Sequence, residues 1–184
     1  MLRALDIVLS SIGLLLLLPL IALLFLFGLF DTGAPLFRQT RVGRHQRPFT
    51  LVKFRTMRPD TQWVATHLAN PSTVTKLGAF LRRTKLDELP QLCNVLKGEM
   101  SLVGPRPCLL NQQELIEQRA SRGVFAARPG ITGLAQINGV DMSTPQLLAE
   151  TDAQMLQSLG LRAYFTYIIK TIIGAGRGDR IRQA

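Results

Sequence analysis

A chain of 184 residues is long enough for one compact domain with a sizeable core. Its formal net charge of +10 predicts anionic partners: phosphates, nucleic acid or an acidic membrane surface. Cys93 and Cys108 have no C-x-x-C spacing, which argues against a disulfide framework or a cysteine metal site and for two ordinary reduced thiols.

The first element is an apolar segment. No charge occurs between Asp6 and Asp31, and Leu14 to Leu18 is an unbroken leucine run. As a straight helix, Ile7 to Phe30 would rise about 36 Å, against about 30 Å for a bilayer core. Pro35 crowds the candidate cleavage position after Ala34, so the segment reads as an anchor rather than a signal peptide. Pro19 removes a backbone donor and crowds the carbonyl of Leu15, so a kink is expected there. Two shapes follow: a kinked helix that crosses the bilayer, or one that dips in and leaves by the same face. The residues alone favour crossing. Arg38, Arg41, Arg44 and Arg47 follow the segment and place the main body on the cytoplasmic side. Arg3 and the terminal amine precede it, and two positive flanks suit a helix with both ends in the cytoplasm.

Phe49 to Met57 alternates as a strand and puts Lys53 and Arg55 on one face, about 7 Å apart. Lys76 to Arg83 reads as a short basic helix. Asp87 to Lys97 reads as a second, with Asp87 as N-cap and Pro90 in the first turn. Asn111 to Arg119 is a third. Thr144 and Pro145 open a helix that runs to about Ser158 and stops at Gly160. Leu161 to Ile173 is apolar with tyrosines and a lysine, and suits a membrane surface. The tail from Gly174 is basic, glycine-rich and expected to be flexible.

The adjacent carboxylates Asp87 and Glu88 are the strongest chemical feature. Successive helical residues point about 100° apart, so one could attack while the other holds a metal. Plain helix capping is the competing explanation. Four arginines directly precede proline: Arg47, Arg58, Arg106 and Arg128. Proline pushes the preceding residue into an extended shape. A guanidinium aimed from such a loop loses less freedom when it clamps a phosphate. Gly104-Pro105-Arg106-Pro107 and Arg128-Pro129-Gly130 look built for this, whereas Arg47 and Arg58 fit the simple ending of secondary structure. There is no G-x-x-x-x-G-K loop and no G-x-S-x-G elbow. His45 and His67 show no ligand spacing and read as surface residues. Gln136 and Asn138, flanked by Gly133 and Gly139, are candidate donors.

Four motifs in order resemble one family: Lys53-Phe54-Arg55-Thr56-Met57, Leu86-Asp87-Glu88-Leu89-Pro90-Gln91, the run from Asn94 to Pro107, and Arg128-Pro129-Gly130-Ile131-Thr132-Gly133. Together they are similar to the bacterial sugar transferases, the small monotopic phosphoglycosyl transferases that begin assembly of surface glycans. The resemblance runs from about Met1 to Ile173. It implies an α+β, mostly helical fold: a re-entrant membrane helix over residues 1–31 broken at Pro19, a small cytoplasmic catalytic domain over 32–173 with short strands and membrane-surface helices, and the tail 174–184. It therefore reverses the preference for a crossing helix. It implies Asp87 as nucleophile, Glu88 together with Asp87 as the Mg²⁺ ligands, and phosphate contacts from Lys53, Arg82, Arg106 and Arg128, to which Arg55 and Gln136 are added as substrate-binding candidates. Departures from the family pattern fall outside the catalytic motifs. Leu18 stands where serine often precedes the breaking proline, so Ser10, Ser11 or backbone adjustment would have to support the break. Leu134 replaces a usual tryptophan, Gln154-Met155 a tyrosine pair, and the usual charges of the last helix are missing around Tyr164 and Thr166.

The implied reaction moves a sugar 1-phosphate from a UDP-sugar, expected to be N-acetylated, onto a polyprenyl (undecaprenyl) phosphate at the inner membrane. It passes through a phosphosugar-aspartyl enzyme, releases UMP and starts a surface glycan. A homo-oligomer is compatible with this. The rival is a non-enzymatic basic membrane adaptor that binds anionic lipids. It would need only the anchor and the charge, and would give Asp87, Glu88 and the proline-braced arginines no purpose. A nucleic-acid partner is not expected: aromatic platforms are few, and several aromatic residues lie in the apolar segment.

Overall fold

The computed structural model describes residues 1–61 and 71–174; His67 and the tail from residue 175 lie outside the described residues. Among the described residues the architecture is α+β and mostly helical, with one long apolar helix and two two-stranded sheets.

Helix α1 spans Leu2–Thr32 and continues through Pro19. Gly33 ends it in the left-handed conformation (φ 71°), its N–H donating to the carbonyl of Leu29. Both ends of α1 dock on the same body. Near the start, Arg3 donates to the carbonyls of Val95 (2.7 Å) and Leu96 (3.2 Å). Asp6 Oδ1 accepts from Ser101 Oγ (2.9 Å), Leu102 N (3.0 Å) and Tyr164 Oη (2.8 Å). Near the end, Leu24 is buried with Phe54 and Leu81, and Asp31 Oδ2 accepts from Thr75 Oγ1 at 2.7 Å. Between these anchors Leu15, Leu16 and Leu18 are largely exposed. Ser10 Oγ is buried and makes no hydrogen bond, so it does not support a break at Pro19.

Strand β1 (Leu36–Val42) pairs antiparallel with β2 (Pro48–Phe54), Thr40 opposite Thr50. The expected strand over residues 49–57 thus ends at Phe54. β1 itself was hidden, because its arginines read as a charged flank: Arg38 is exposed on the strand, whereas Arg41 is half-buried and donates to Pro107 O. Helix α2 (Lys76–Thr84) begins at Thr75, whose side chain accepts from Gly78 N. Helix α3 spans Gln91–Lys97. The expectation of one helix from Asp87 fails here: residues 86–88 form a separate tight turn, and Pro90, not Asp87, precedes the first residue of α3. Asp87 is therefore not the N-cap of α3.

Strand β3 (Ser101–Val103) runs parallel to β4 (Gly130–Thr132). Helices α4 (Gln113–Ser121), α5 (Leu134–Ile137), α6 (Pro145–Ser158) and α7 (Leu161–Ile172) complete the described fold. Tyr164 and Tyr167 bury one face of α7, while Leu161, Phe165, Ile169 and Ile172 form an exposed apolar stripe at helical spacing. Cys108 is buried and Cys93 exposed, both as free thiols.

Gly78 fixes how α2 meets the end of β2. A Cβ there would overlap the carbonyl oxygen of Thr56 and approach Thr56 Cα to 2.7 Å. Gly78→Ala is expected to destabilise by about 1–3 kcal/mol. Gly13→Ala, whose Cβ would meet only Leu92 Cδ1 at 3.4 Å, should be tolerated. Thermal melts of the two variants in detergent check the contrast.

Candidate active site

The site grows from the turn between α2 and α3. α2 ends at Thr84, and Lys85 takes a left-handed conformation (φ 59°) that only a few per cent of non-glycine residues adopt. The chain then closes on itself: Glu88 N donates to Lys85 O (3.2 Å) and Leu89 N to Leu86 O (3.3 Å). Leu86 and Leu89 pack into the cluster of Leu24, Phe54 and Leu81. The two leucines of Leu-Asp-Glu-Leu thus pin the turn to α1, β2 and α2, and fix the two carboxylates between them.

Asp87 is buried, 6% exposed. Glu88 Oε1 accepts from Arg106 Nη1 at 3.4 Å. Burial pulls the Lys85 ammonium below the ordinary lysine value, against the pull of Glu88 and Asp87 and with the push of Arg106. One constellation therefore holds two carboxylates, an ammonium and a guanidinium. Lys85 was missed from sequence, where nothing but its position two residues before Asp87 signals it.

Arg82 lies in the last turn of α2, directly before this turn, and its Nε donates to the buried Thr56 Oγ1 at 2.8 Å. Lys53 and Arg55 do share a face: both sit over the Phe37 ring, 5.7 and 5.6 Å from its centroid. Arg55 also donates to the carbonyls of Ala34 (2.8 Å) and Leu36 (3.4 Å), bracing the junction of α1 and β1.

Two candidates stand elsewhere. Arg128 Nε donates to Gly98 O at 2.8 Å, beyond the C-terminal end of α3, whereas Asp87 precedes its N-terminus. Burial and the charges of Arg3 and Arg44 lower its pKa. Gln136 Nε2 donates to Gly104 O at 3.2 Å, beneath the loop that carries Arg106.

Gly104 and Gly130 make that loop possible. A Cβ on Gly130 would overlap Gly104 N, and one on Gly104 would overlap the carbonyl oxygen of Arg128. This close backbone approach lets Gly104 N donate to Thr132 O and Gly130 N to Pro105 O, both at 2.8 Å. Both proline-arginine motifs are thereby joined in one backbone unit, although only Arg106 of the pair reaches a carboxylate of the site.

Comparison with known proteins gives the family. The model of the family described as bacterial sugar transferase matches residues 1–177. The chain is 38% identical over 190 residues to the exopolysaccharide production protein ExoY of Rhizobium meliloti, covering 92% of this chain and 83% of ExoY. It is 38% identical over 182 residues to the UDP-glucose:undecaprenyl-phosphate glucose-1-phosphate transferase of Caulobacter vibrioides, covering 92% of this chain and 67% of that one. With the protein of the same name from Escherichia coli K12 it shares 47% identity over 144 residues, covering 74% of this chain and 31% of the relative. The chain thus spans about a third of the length of the Escherichia coli relative and of an uncharacterized sugar transferase of Haemophilus influenzae. With a family match along nearly its whole length, and with Arg106 reaching the turn that carries Asp87 and Glu88, the chain belongs to the bacterial sugar transferase family.

Proposed function

We propose that the chain transfers a sugar 1-phosphate from a UDP-sugar to undecaprenyl phosphate in two steps. An oxygen of Asp87 attacks the sugar-bearing phosphorus, the bond to the bridging oxygen breaks, and UMP leaves with that oxygen. An oxygen of the lipid phosphate then attacks the same phosphorus and releases the Asp87 carboxylate. The observation that carries this reading is the fixed turn: Asp87 is buried beside Lys85, and Glu88 is held by Arg106 at 3.4 Å. Cations placed before the substrate arrives need little reorganisation as charge shifts onto the departing phosphate. The adaptor alternative leaves this constellation unexplained.

Asp87 and Glu88 would also hold Mg²⁺. Among the described residues no group of three His, Cys, Asp or Glu side chains could bind an ion by itself. Two carboxylates suit magnesium, which usually completes its shell with substrate phosphates and water. When bound, it supplies neutralisation of the diphosphate charge that repels an attacking carboxylate.

The proposed setting is the inner membrane, with the catalytic body facing the cytoplasm. α1 has a mean hydropathy of 2.9 over its most apolar stretch, long enough by composition to enter a bilayer. Its two ends dock on one body, and Leu15, Leu16 and Leu18 near Pro19 are exposed. These features support a re-entrant course rather than a crossing. The exposed stripe of α7 supports bedding of the body in the interface. One substrate is then soluble and the other stays in the lipid.

Relatives are named for glucose and galactose transfer, for example the UDP-galactose-lipid carrier transferase of Erwinia amylovora. UDP-glucose is accordingly the first donor to test, with UDP-N-acetylglucosamine to represent the N-acetylated donors expected from the family resemblance. With donor and no lipid acceptor, labelled UMP should exchange into the UDP-sugar, because the first step reverses. Transfer with no such exchange would show that no covalent enzyme forms.

A further inference from the structure

Five successive carbonyls of the Arg106 loop, from Gly104 to Cys108, each accept a hydrogen bond from a different donor. Gly104 O accepts from Gln136 (3.2 Å), Pro105 O from Gly130 N (2.8 Å), Arg106 O from Arg119 Nη1 (2.8 Å), Pro107 O from Arg41 Nη1 (3.1 Å) and Cys108 O from Val42 N (3.0 Å). The deepest donor is Arg119 of α4, 2% exposed, which also donates through Nε (3.0 Å) and Nη2 (2.6 Å) to Asp152 Oδ2 of α6. Asp152 is fully buried, and its other carboxylate oxygen, Oδ1, makes no hydrogen bond.

A buried ion pair is a poor way to gain stability, because desolvation offsets most of the attraction and an apolar pair of similar size often does as well. Its better-attested use is to fix one arrangement among several. Arg119 spends two donors on Asp152 and a third on the backbone of Arg106. The planar fork makes that division rigid: with Asp152 gripping Nε and Nη2, the plane of the guanidinium is fixed, and an N–H of Nη1 in that plane meets Arg106 O. We infer that the Arg119–Asp152 pair is a positioning device that aims Arg106 at Glu88 and the donor diphosphate. This rests on the reading of Arg106 and Glu88 as parts of the reaction site. Arg119 and Asp152 touch no reacting atom and are positioning residues.

Arg119→Lys tests the inference, since lysine keeps the charge for Asp152 but lacks the fork. With UDP-glucose and undecaprenyl phosphate, kcat/KM should fall between about tenfold and a hundredfold, the scale of a loss from misplacement of about 1 Å. The deciding measurement is a double-mutant cycle. On an Arg106→Ala background, Arg119→Lys should change kcat/KM by less than about twofold, while shifting Tm as much as it does in the wild type. Full activity of Arg119→Lys, or a loss that repeats undiminished on the Arg106→Ala background, would overturn the inference and assign the pair to the core alone. Should Arg119→Lys fail to fold, the double variant R119Q/D152N removes both charges together and takes its place in the cycle, with the same expected coupling. Loss of the fold in both would likewise assign the pair to the core. An Arg106→Ala enzyme with full activity has a separate meaning: it would refute the reading of the site.

Discussion

Asp87→Asn should reduce turnover by on the order of a thousandfold or more, since loss of an attacking group commonly costs at least that. The amide is nearly isosteric, so the turn closed by Lys85, Leu86, Glu88 and Leu89 can persist. What disappears is the anionic oxygen that would form the bond to phosphorus. Leu86 and Leu89 still hold the turn in the cluster with Leu24, Phe54 and Leu81, so Tm should change little. UMP–donor exchange without lipid should vanish together with transfer. A variant that loses transfer but keeps exchange would move the nucleophile to another residue.

The second large effect is expected at the pair beside it. Glu88→Gln and Arg106→Ala should each lower kcat/KM by about a hundredfold to a thousandfold, the usual scale for removing one preorganised charge from a reacting centre. The Glu88–Arg106 contact is partly exposed, with 16% and 30% of the side chains accessible, and long at 3.4 Å. Solvent-screened pairs of this kind contribute about 0–1 kcal/mol to stability. Activity and stability should therefore part company: a large kinetic loss with a small shift in melting. Parallel losses in both would assign the pair to the scaffold instead. Glu88→Asp shortens the reach to Arg106 without removing charge and should fall between wild type and Glu88→Gln.

Local signals carried much of the helical framework. Thr144-Pro145 marked the start of α6, and the apolar pattern of residues 161–173 marked α7 within one residue of its end. Where the fold departed from expectation, the cause was mostly non-local. Asp87 looked like an N-cap because Pro90 fits a first turn. The chain instead turns at Lys85, whose left-handed backbone no glycine or asparagine announces. β1 was obscured because Arg38 and Arg41 were counted as flanking charge, though Val42 ends the strand in the core. The carboxylates and Arg106 were readable as candidates from their motifs. The supports of Arg106 were not, because Arg41, Arg119 and Gln136 come from three elements far apart in sequence, and only packing shows that they converge on one loop. Arg128 gives the converse lesson. Its motif resembles that of Arg106, yet its guanidinium turns to Gly98 O.

Tyr164 shows how a departure from the family pattern can be absorbed. Its hydroxyl donates to Asp6 at 2.8 Å and joins the first turns of α1 to α7. Burial and the neighbouring Asp6 raise its pKa, so it remains a neutral donor through the physiological range. Tyr164→Phe removes one of three donors to a buried carboxylate and should cost about 1.5–3 kcal/mol, read from chemical denaturation in detergent.

Covalent chemistry at position 87 is open to direct observation. Purified enzyme is mixed with UDP-glucose and magnesium without polyprenyl phosphate, quenched in acid, and its intact mass and peptides are measured. The expected result is a hexose-phosphate mass increment on the peptide containing Asp87, absent from Asp87→Asn and discharged when undecaprenyl phosphate is added before the quench. An enzyme that transfers sugar phosphate to lipid in the same preparation, yet carries no increment or carries it on another residue, would contradict the assignment.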